Sequence, residues 1–475
     1  MGQVPPVILW LRRDLRLADH QAMATAIATG QPVIPLFIHD EVVENLGAAS
    51  KFRLGLSLES FSSQLRELGA TLILRRGRAL DVLRSVIGET GATGVFWSRL
   101  YEGASKSRDT EVKAVLRKAG VKADSHRGHV LFEPWTVSTK TGGFYKVYTP
   151  FWNTVKQEEV GVCLPAPQRW PAPANWPKSD TLSNWKMDAE MNRGAAVATE
   201  HQRVGEMAAQ DRLGKFIEIA IDGYKEYRDF PGLPATSGLS ENLTYGEISP
   251  RMIWHAGVRV LNEGHSGAEH FLKELVWREF SYHLTHHTPW IETECWRREW
   301  ESFPWRGDTE LAEAWRRGRT GIPFVDAAMR EMYVTGTMHN RARMIVGSYL
   351  TKHLLTDWRI GQVWFADCLT DWDPAANAMG WQWVAGCGPD ATPYFRVFNP
   401  VTQADKFDAD QNYQRRWIAE RYTKPSRTAL SYFKAVPCNW TLNEDSGYPD
   451  PIVSASDGRG VALAAYSAWK EGHLK

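Results

Sequence analysis

Up to about residue 132 the chain alternates short apolar, β-branched runs with stretches whose hydrophobic positions recur at helical spacing. VILWL (7–11), VIPLFI (33–38), TLILR (71–75) and GVFW (94–97) predict strands. Residues 19–29, 50–68, 79–90 and 105–119 predict helices, several ending at a glycine: Gly30, Gly69, Gly91 or Gly120. Strand and helix in alternation imply right-handed crossovers, so residues 1–133 are expected to form an α/β domain around a parallel, doubly wound, Rossmann-like sheet. Ligands of such sheets sit beyond the carboxyl ends of the strands. No GxGxxG follows a strand here and no GxxxxGK[ST] occurs, so this half offers no conventional dinucleotide or P-loop site.

From 134 to 200 the texture changes to Pro, Trp, Asn and Ser, with PAPQRWPAPANWPKSDTLSNW in the middle, and reads as a linker wrapping between domains. Beyond residue 201 the strand pattern fades. Helical periodicity at 247–262, 268–287, 309–317, 323–335 and 340–355 makes 201–475 a larger, nearly all-helical domain. There is no internal repeat.

Composition adds three constraints. With 43% hydrophobic and 23% charged residues the chain is a globular one able to bury a core, and at +1 net charge any nucleic-acid surface must be a local patch. Trp, at 22, outnumbers Phe at 18 and Tyr at 15, which points to stacking or electron transfer, or else to a bulky core. Five cysteines without CxxC spacing speak against zinc, iron–sulfur and disulfide scaffolds and fit a reducing cytosol. MGQVPPVILWLRRD lacks the pattern of a signal peptide, and no apolar run is long enough to span a bilayer.

Four stretches of the helical half carry chemistry. DWDPAANAMGWQWVAGCGPDATPYFRVFNP (371–400) sets Asp371 and Asp373 ahead of Asn377, and a helix from Ala375 to Trp383 would put Asn377 and Trp381 on one face, fit to hold a flat, heteroatom-rich ring. Packing and N-capping explain the same residues individually. TSGLS (236–240) is a hydroxyl-rich turn suited to a phosphate or to a helix cap. ELVWREF (274–280) spaces Glu274 and Arg278 as an ion pair beside Trp277, and MHNRARM (338–344) clusters Asn340, Arg341, Arg343 and Met344, with Asp371 or Asp373 as possible partners for the arginines. HLTHH (283–287), with Glu292 and Glu294 nearby, fits no metal-ligand spacing, so no metal is expected.

In this order along the chain, and with the opening WLRRDLRLADH, these motifs closely resemble the DNA photolyase and cryptochrome family over essentially the whole length, and within it the bacterial cyclobutane pyrimidine dimer photolyases of classes I and III. The resemblance implies a helical domain that binds FAD in a bent form. Tyr224, Thr236, Ser237, Gly238, Leu239 and Ser240 would meet the diphosphate and ribityl chain. Asn340, Arg343, Asp371, Asp373 and Asn377 would surround the isoalloxazine, with Phe271, Glu274 and Arg278 completing the cofactor site. Trp381, Trp358 and Trp305 would form a chain of electron-hopping tryptophans between the flavin and the surface. Glu274, Trp277, Asn340, Met344 and Trp383 would hold the dimer, which photolyases take out of the duplex. Arg341, with basic residues around Arg396 and Lys406, would grip flanking phosphates.

Asn340 and Met344 stand where repair of (6-4) photoproducts needs histidines, and Asn377 where plant cryptochromes typically place Asp. Both favour the cyclobutane lesion and a reduced working flavin. Thr337, Phe271, Ala378 and Trp372 depart from several relatives, and Trp372 offers a side branch for electrons. The expected function is therefore light-driven dimer repair in DNA by electron transfer from reduced FAD, in a cytosolic monomer. An antenna in the α/β domain, methenyltetrahydrofolate rather than a deazaflavin or FMN, would lie near Asp40, Glu41 and Tyr101. The alternatives are a cryptochrome-like photoreceptor and a light-independent flavin reductase. The reductase would need a nicotinamide fingerprint that the sequence lacks.

Overall fold

The computed structural model describes residues 4–391 and 393–473. Five parallel strands, β1 (Val7–Leu11), β2 (Val33–His39), β3 (Ile73–Arg76), β4 (Gly94–Ser98) and β5 (Lys122–His126), lie in the order β3-β2-β1-β4-β5. The unbroken apolar run of β1 accounts for its central place. Val7, Leu9 and Leu11 pack towards the helices Gln21–Ala28 and Ala48–Glu67, while Ile8 and Trp10 pack towards Ala79–Thr90 and Gly103–Lys118. Pro35 is tolerated inside β2 because pairing with β3 begins only at Leu36 and Ile73. The expected glycine stops are present, as at Gly91, whose φ of 68° closes its helix. The strand missed from sequence is β5, KADSH, an edge strand paired only with β4 and too polar to show an apolar pattern.

In open sheets of this kind the crevice where the strand order reverses receives ligands. Here the loop after β1 fills it. Arg12 donates to the Ser98 carbonyl at the end of β4, Arg13 to the Tyr282 hydroxyl (3.1 Å) and Arg16 to the Gly246 carbonyl (2.9 Å), while Leu17 and Ala18 N–H groups donate to Glu206. The helical half docks where a nucleotide would sit, which accounts for the missing fingerprint.

Parts of the segment 134–200 lie along the sheet. Trp170 Nε1 donates to the Val33 carbonyl (2.8 Å), and the Leu74 N–H donates to Ser179 Oγ (2.9 Å), so the segment runs along β2 and β3. It also contains a helix, Tyr148–Val155, which the Pro-rich texture around it conceals. After residue 201 the described elements are helical. Helices Ala268–His287 and Pro323–Thr335 match their expected limits, but the helix expected over 340–355 stops at Ser348 and widens into a π turn, Tyr349–His353. No described helix is long and apolar enough to cross a membrane.

Glu331, on helix Pro323–Thr335, is half-buried and accepts from the Tyr413 hydroxyl (2.5 Å) and the His339 N–H (3.3 Å). Burial pushes its carboxyl up to about 7 from the ordinary 4.5. The fold thus binds this proton more tightly than the unfolded chain does, so the stability the group contributes is full below pH 4.5 and lost as pH rises to about 7. Burial holds His339 down to about 4, and its effect runs the opposite way in the same window. The difference between wild type and Glu331→Gln isolates the carboxyl. Urea midpoints taken across that window are expected to fall less with rising pH in the variant, and identical slopes would place the titration elsewhere.

Candidate functional site

Asp371 and Asp373 lie on the connection between helices Trp358–Cys368 and Pro374–Ala385. Asp373 is the N-cap of the second, accepting from the Ala376 N–H (3.0 Å) with Pro374 at the first helical position. Its other oxygen accepts from the Tyr282 hydroxyl, with Arg13 3.9 Å away. Asp371, 6% exposed, accepts from Arg343 Nη2 through both oxygens, at 2.7 and 2.9 Å, while Arg343 Nε donates to the Met338 carbonyl (2.8 Å). The pairing of Arg343 with Asp371 therefore forms. Asn377, one turn into its helix, donates Nδ2 to the Gln362 carbonyl (3.1 Å) and keeps its own side-chain oxygen free.

The turn 236–240 leads into a short helix, Ser240–Thr244. Among the described residues, none of the backbone N–H groups or hydroxyls of Thr236, Ser237, Gly238, Leu239 and Ser240 donates within the protein. Arg212 holds the turn from behind, donating to the Gly238 carbonyl (2.5 Å) and to Glu241 (3.0 Å). The short helix is tied to the carboxylate segment, since Thr244 Oγ1 donates to the Asp371 carbonyl (3.1 Å) and Thr370 Oγ1 to Glu241 (2.9 Å). Free donors on a turn, joined rigidly to a guanidinium–carboxylate pair and a free amide oxygen, suit a ligand with a diphosphate at one end and a heteroatom-rich ring at the other.

Glu274 does not pair with Arg278. It pairs with Arg228, and Arg278 donates instead to the His129 carbonyl (2.8 Å) at the contact between the two halves. The next residue, Asp229, holds Arg341 at 2.5 Å, and the Arg341 guanidinium lies 4.6 Å over the Phe407 ring. Arg228 and Asp229, which no motif marked, thus clamp helices Ala268–His287 and Asn340–Ser348 together. Asn340 is the exposed first residue of its helix and Met344, one turn on, is half-buried.

Two models of known families match the chain, the DNA photolyase domain at residues 7–174 and the FAD binding domain of DNA photolyase at 271–468. A deoxyribodipyrimidine photo-lyase of Agrobacterium fabrum is 44% identical over 98% of both chains, and one of a Synechococcus strain is 34% identical over 94% of both. The chain belongs to the DNA photolyase family. Its fold follows that of a bacterial class III photolyase from Agrobacterium tumefaciens, with a TM-score of 0.91 at 43% identity over 99% of both chains. As in that family, an α/β domain precedes a helical, FAD-binding one.

Trp381, Trp358 and Trp305 share one hydrophobic cluster, the first two buried and the third at its edge. Trp381 and Trp305 pack against other rings, and Trp358 lies under the Arg359 guanidinium (4.8 Å). Trp381 meets Phe365 (4.9 Å) and Trp315 (6.1 Å), and Trp305 meets Phe303 (4.4 Å). Trp381 sits in a slot made by Gly361, where a Cβ would fall 2.1 Å from its ring. Gly361→Ala is therefore expected to cost about 1–3 kcal/mol by overpacking and to slow flavin photoreduction by displacing Trp381. Unchanged unfolding midpoint and photoreduction rate would show that the ring can move aside.

Trp277 stacks one face on Tyr148, with centroids 3.7 Å apart and planes 7° from parallel. Tyr148 is fixed in turn, its hydroxyl donating to the Lys273 carbonyl (2.5 Å) and its N–H to Asp390 (3.1 Å). It was overlooked within the linker, where YTPFW was the available sign. Tyr224 is buried against Phe216 and Phe271, and Trp383 is half-buried on helix Pro374–Ala385.

Proposed function

We propose that the chain splits cyclobutane pyrimidine dimers in DNA under blue or near-ultraviolet light, with FAD held in the helical domain. The observation that carries this reading is Trp277. Its indole is stiffened on one side by Tyr148, and its helix packs against the one bearing Asn377, Trp381 and Trp383. A rigid, half-buried indole on a helix packed against the one that carries Asn377 suits an extruded base.

Bound reduced FAD would lend an excited electron to the dimer and take it back once the bonds have split. Residues 236–240, with Tyr224 beside them, would hold the diphosphate. Asn340, Arg343, Asp371 and Asn377 would line the ring. Asp373 and Arg278, engaged where the two halves meet, would act from behind, and Phe271 would pack the far end. Glu274, steadied by Arg228, would accept from the dimer's imide edge while Trp277, Met344 and Trp383 enclose its apolar faces. Arg341 is committed to Asp229, so phosphate contacts would fall first to Arg396 and Lys406.

Methenyltetrahydrofolate is the proposed antenna. Asp40 is engaged with Arg108 (2.7 Å) and Tyr101 with Glu133 (2.9 Å), which leaves Glu41 beside an open cleft of about 470 Å³ past β2 and β3, lined also by Arg76 and Arg78. The five cysteines are free, which suits a reducing compartment.

The test is Trp277→Ala. Losing one stacked base is worth about 1–3 kcal/mol, so affinity for a dimer-containing oligonucleotide is expected to fall about 5- to 150-fold with FAD retained. Unchanged dimer affinity, measured by mobility shift in the dark, would remove the pocket from this reading.

A further inference from the structure

Lys352 is a lysine enclosed without a carboxylate. It lies in the π turn Tyr349–His353, whose five residues are all buried, and is itself 0% exposed. Its Nζ donates to the Arg396 carbonyl (3.0 Å) and lies 5.4 Å from the centre of the Tyr394 ring. Among the described residues no carboxylate comes within ion-pair distance of it. Burial, with the Arg396 guanidinium near, brings its ammonium down to about 7. Charged or neutral, the nitrogen donates to the same carbonyl.

The residues it reaches form a turn. The Arg396 N–H donates to the Pro393 carbonyl (2.9 Å) and the Val397 N–H to the Phe395 carbonyl (3.0 Å). Tyr394 is buried against Phe303 (5.0 Å), Tyr466 (5.1 Å) and Trp300 (5.4 Å), while Phe395 and Arg396 stand exposed. Among the described residues the Arg396 side chain takes no ion pair. The chain then enters helix Pro400–Phe407, capped by Asn399 and carrying Lys406. Two roots therefore hold the turn from within, the Tyr394 ring and the Lys352 amine, and only the amine grips Arg396 itself. An apolar side chain would fill the same space without the penalty of burying an amine among neutral groups, so packing alone does not account for a lysine.

We propose that Lys352 is a positioning residue for DNA binding, which fixes the turn 393–396 from inside the protein and so presents Arg396 to a backbone phosphate beside the lesion. This rests on the DNA reading above. Lys352 touches no nucleotide. A long side chain such as that of Arg396 loses conformational freedom when it meets a phosphate, and a backbone already held in place leaves less to be ordered on binding. Without the amine the turn hangs on Tyr394 alone, and the phosphate contact is lost.

The test measures binding of the holoprotein, in the dark and over a series of salt concentrations, to a dimer-containing oligonucleotide and to its undamaged counterpart. Lys352→Met and Arg396→Gln are each expected to flatten the slope of log K against log salt by about 1 and to weaken both DNAs by the same factor. The double variant is expected to show the slope of either single one. Trp277→Ala is the contrast, expected to weaken the dimer alone and to leave the slope unchanged. Lys352→Met removes a buried polar group at nearly constant volume, so its FAD content and unfolding midpoint are expected to stay at wild-type values. Lys352→Gln repeats the measurement with a neutral donor and is expected to fall between wild type and Lys352→Met. A wild-type slope in both Lys352 variants would overturn the proposal, as would a double variant that loses twice the slope of the singles. Wild-type protein that binds the two DNAs alike would overturn the dimer reading, while the slopes would still decide the role of Lys352.

Discussion

Glu247→Ala is expected to destabilise the protein by about 3–5 kcal/mol, because it strips a fully buried guanidinium of its counter-charge. Arg53 and Glu247 are 0% and 1% exposed at the side chain and meet through two parallel bonds of 2.7 and 2.9 Å. Arg53 comes from helix Ala48–Glu67 of the α/β domain, Glu247 from the segment before helix Pro250–Asn262, so the pair fastens one half of the molecule to the other. Without the carboxylate, Arg53 keeps Ser57, the Arg203 carbonyl and the face of Tyr245, all neutral. Glu247 also accepts from Asn242 Nδ2 (2.6 Å) on the short helix that carries the phosphate turn, so FAD occupancy is expected to fall with stability. Urea unfolding gives the size of the effect. The double variant Arg53→Met with Glu247→Met removes both charges and is expected to cost less than Glu247→Ala alone. Equal costs would show that lost packing, rather than a stranded charge, is responsible.

The legible parts of the fold were those where local chemistry and tertiary packing agree. The runs of β1, β2 and β4 are apolar because both faces are covered, and Ala268–His287 and Pro323–Thr335 keep helical periodicity along their whole length. KADSH was not legible, since an edge strand partly open to water has no reason to be apolar. Within the site, Asp371 and Asp373 were both readable as partners for the arginines; Asp371 takes Arg343, and Asp373 caps a helix instead. What could not be read was the choice among equivalent partners. Glu274 has Arg278 one turn away in sequence, yet takes Arg228 from a different segment, because Arg278 is drawn to the His129 carbonyl between the two halves. Tyr148 was lost for a similar reason, as its stacking on Trp277 joins positions far apart in the chain through a segment whose prolines suggest no structure.

Asp371→Asn is expected to cost about 3 kcal/mol of FAD binding, roughly two decades in Kd, while its neighbour Asp373→Asn costs about 1 kcal/mol of stability and far less affinity. The two carboxylates stand two residues apart, but their surroundings assign them different work. Asp371 takes two bonds from one nitrogen of Arg343, which is 28% exposed at the side chain and therefore turned towards the site. An amide of the same shape keeps the volume but halves the acceptors and removes the charge, so the guanidinium swings free and the ring pocket loses its fixed edge. Asp373 caps a helix and bonds Tyr282, contacts that Asn reproduces in part. Arg343→Lys supplies the third arm, because it keeps the charge while removing the planar fork and is expected to behave like Asp371→Asn. Titrating apoprotein with FAD and following flavin fluorescence separates the cases. If Asp371→Asn binds FAD as tightly as wild type while its unfolding midpoint drops, the Arg343–Asp371 pair serves the helices alone. If both carboxylate variants lose FAD equally, the cap of helix Pro374–Ala385 matters to the cofactor as much as the pair does, since that helix sets the height of Asn377.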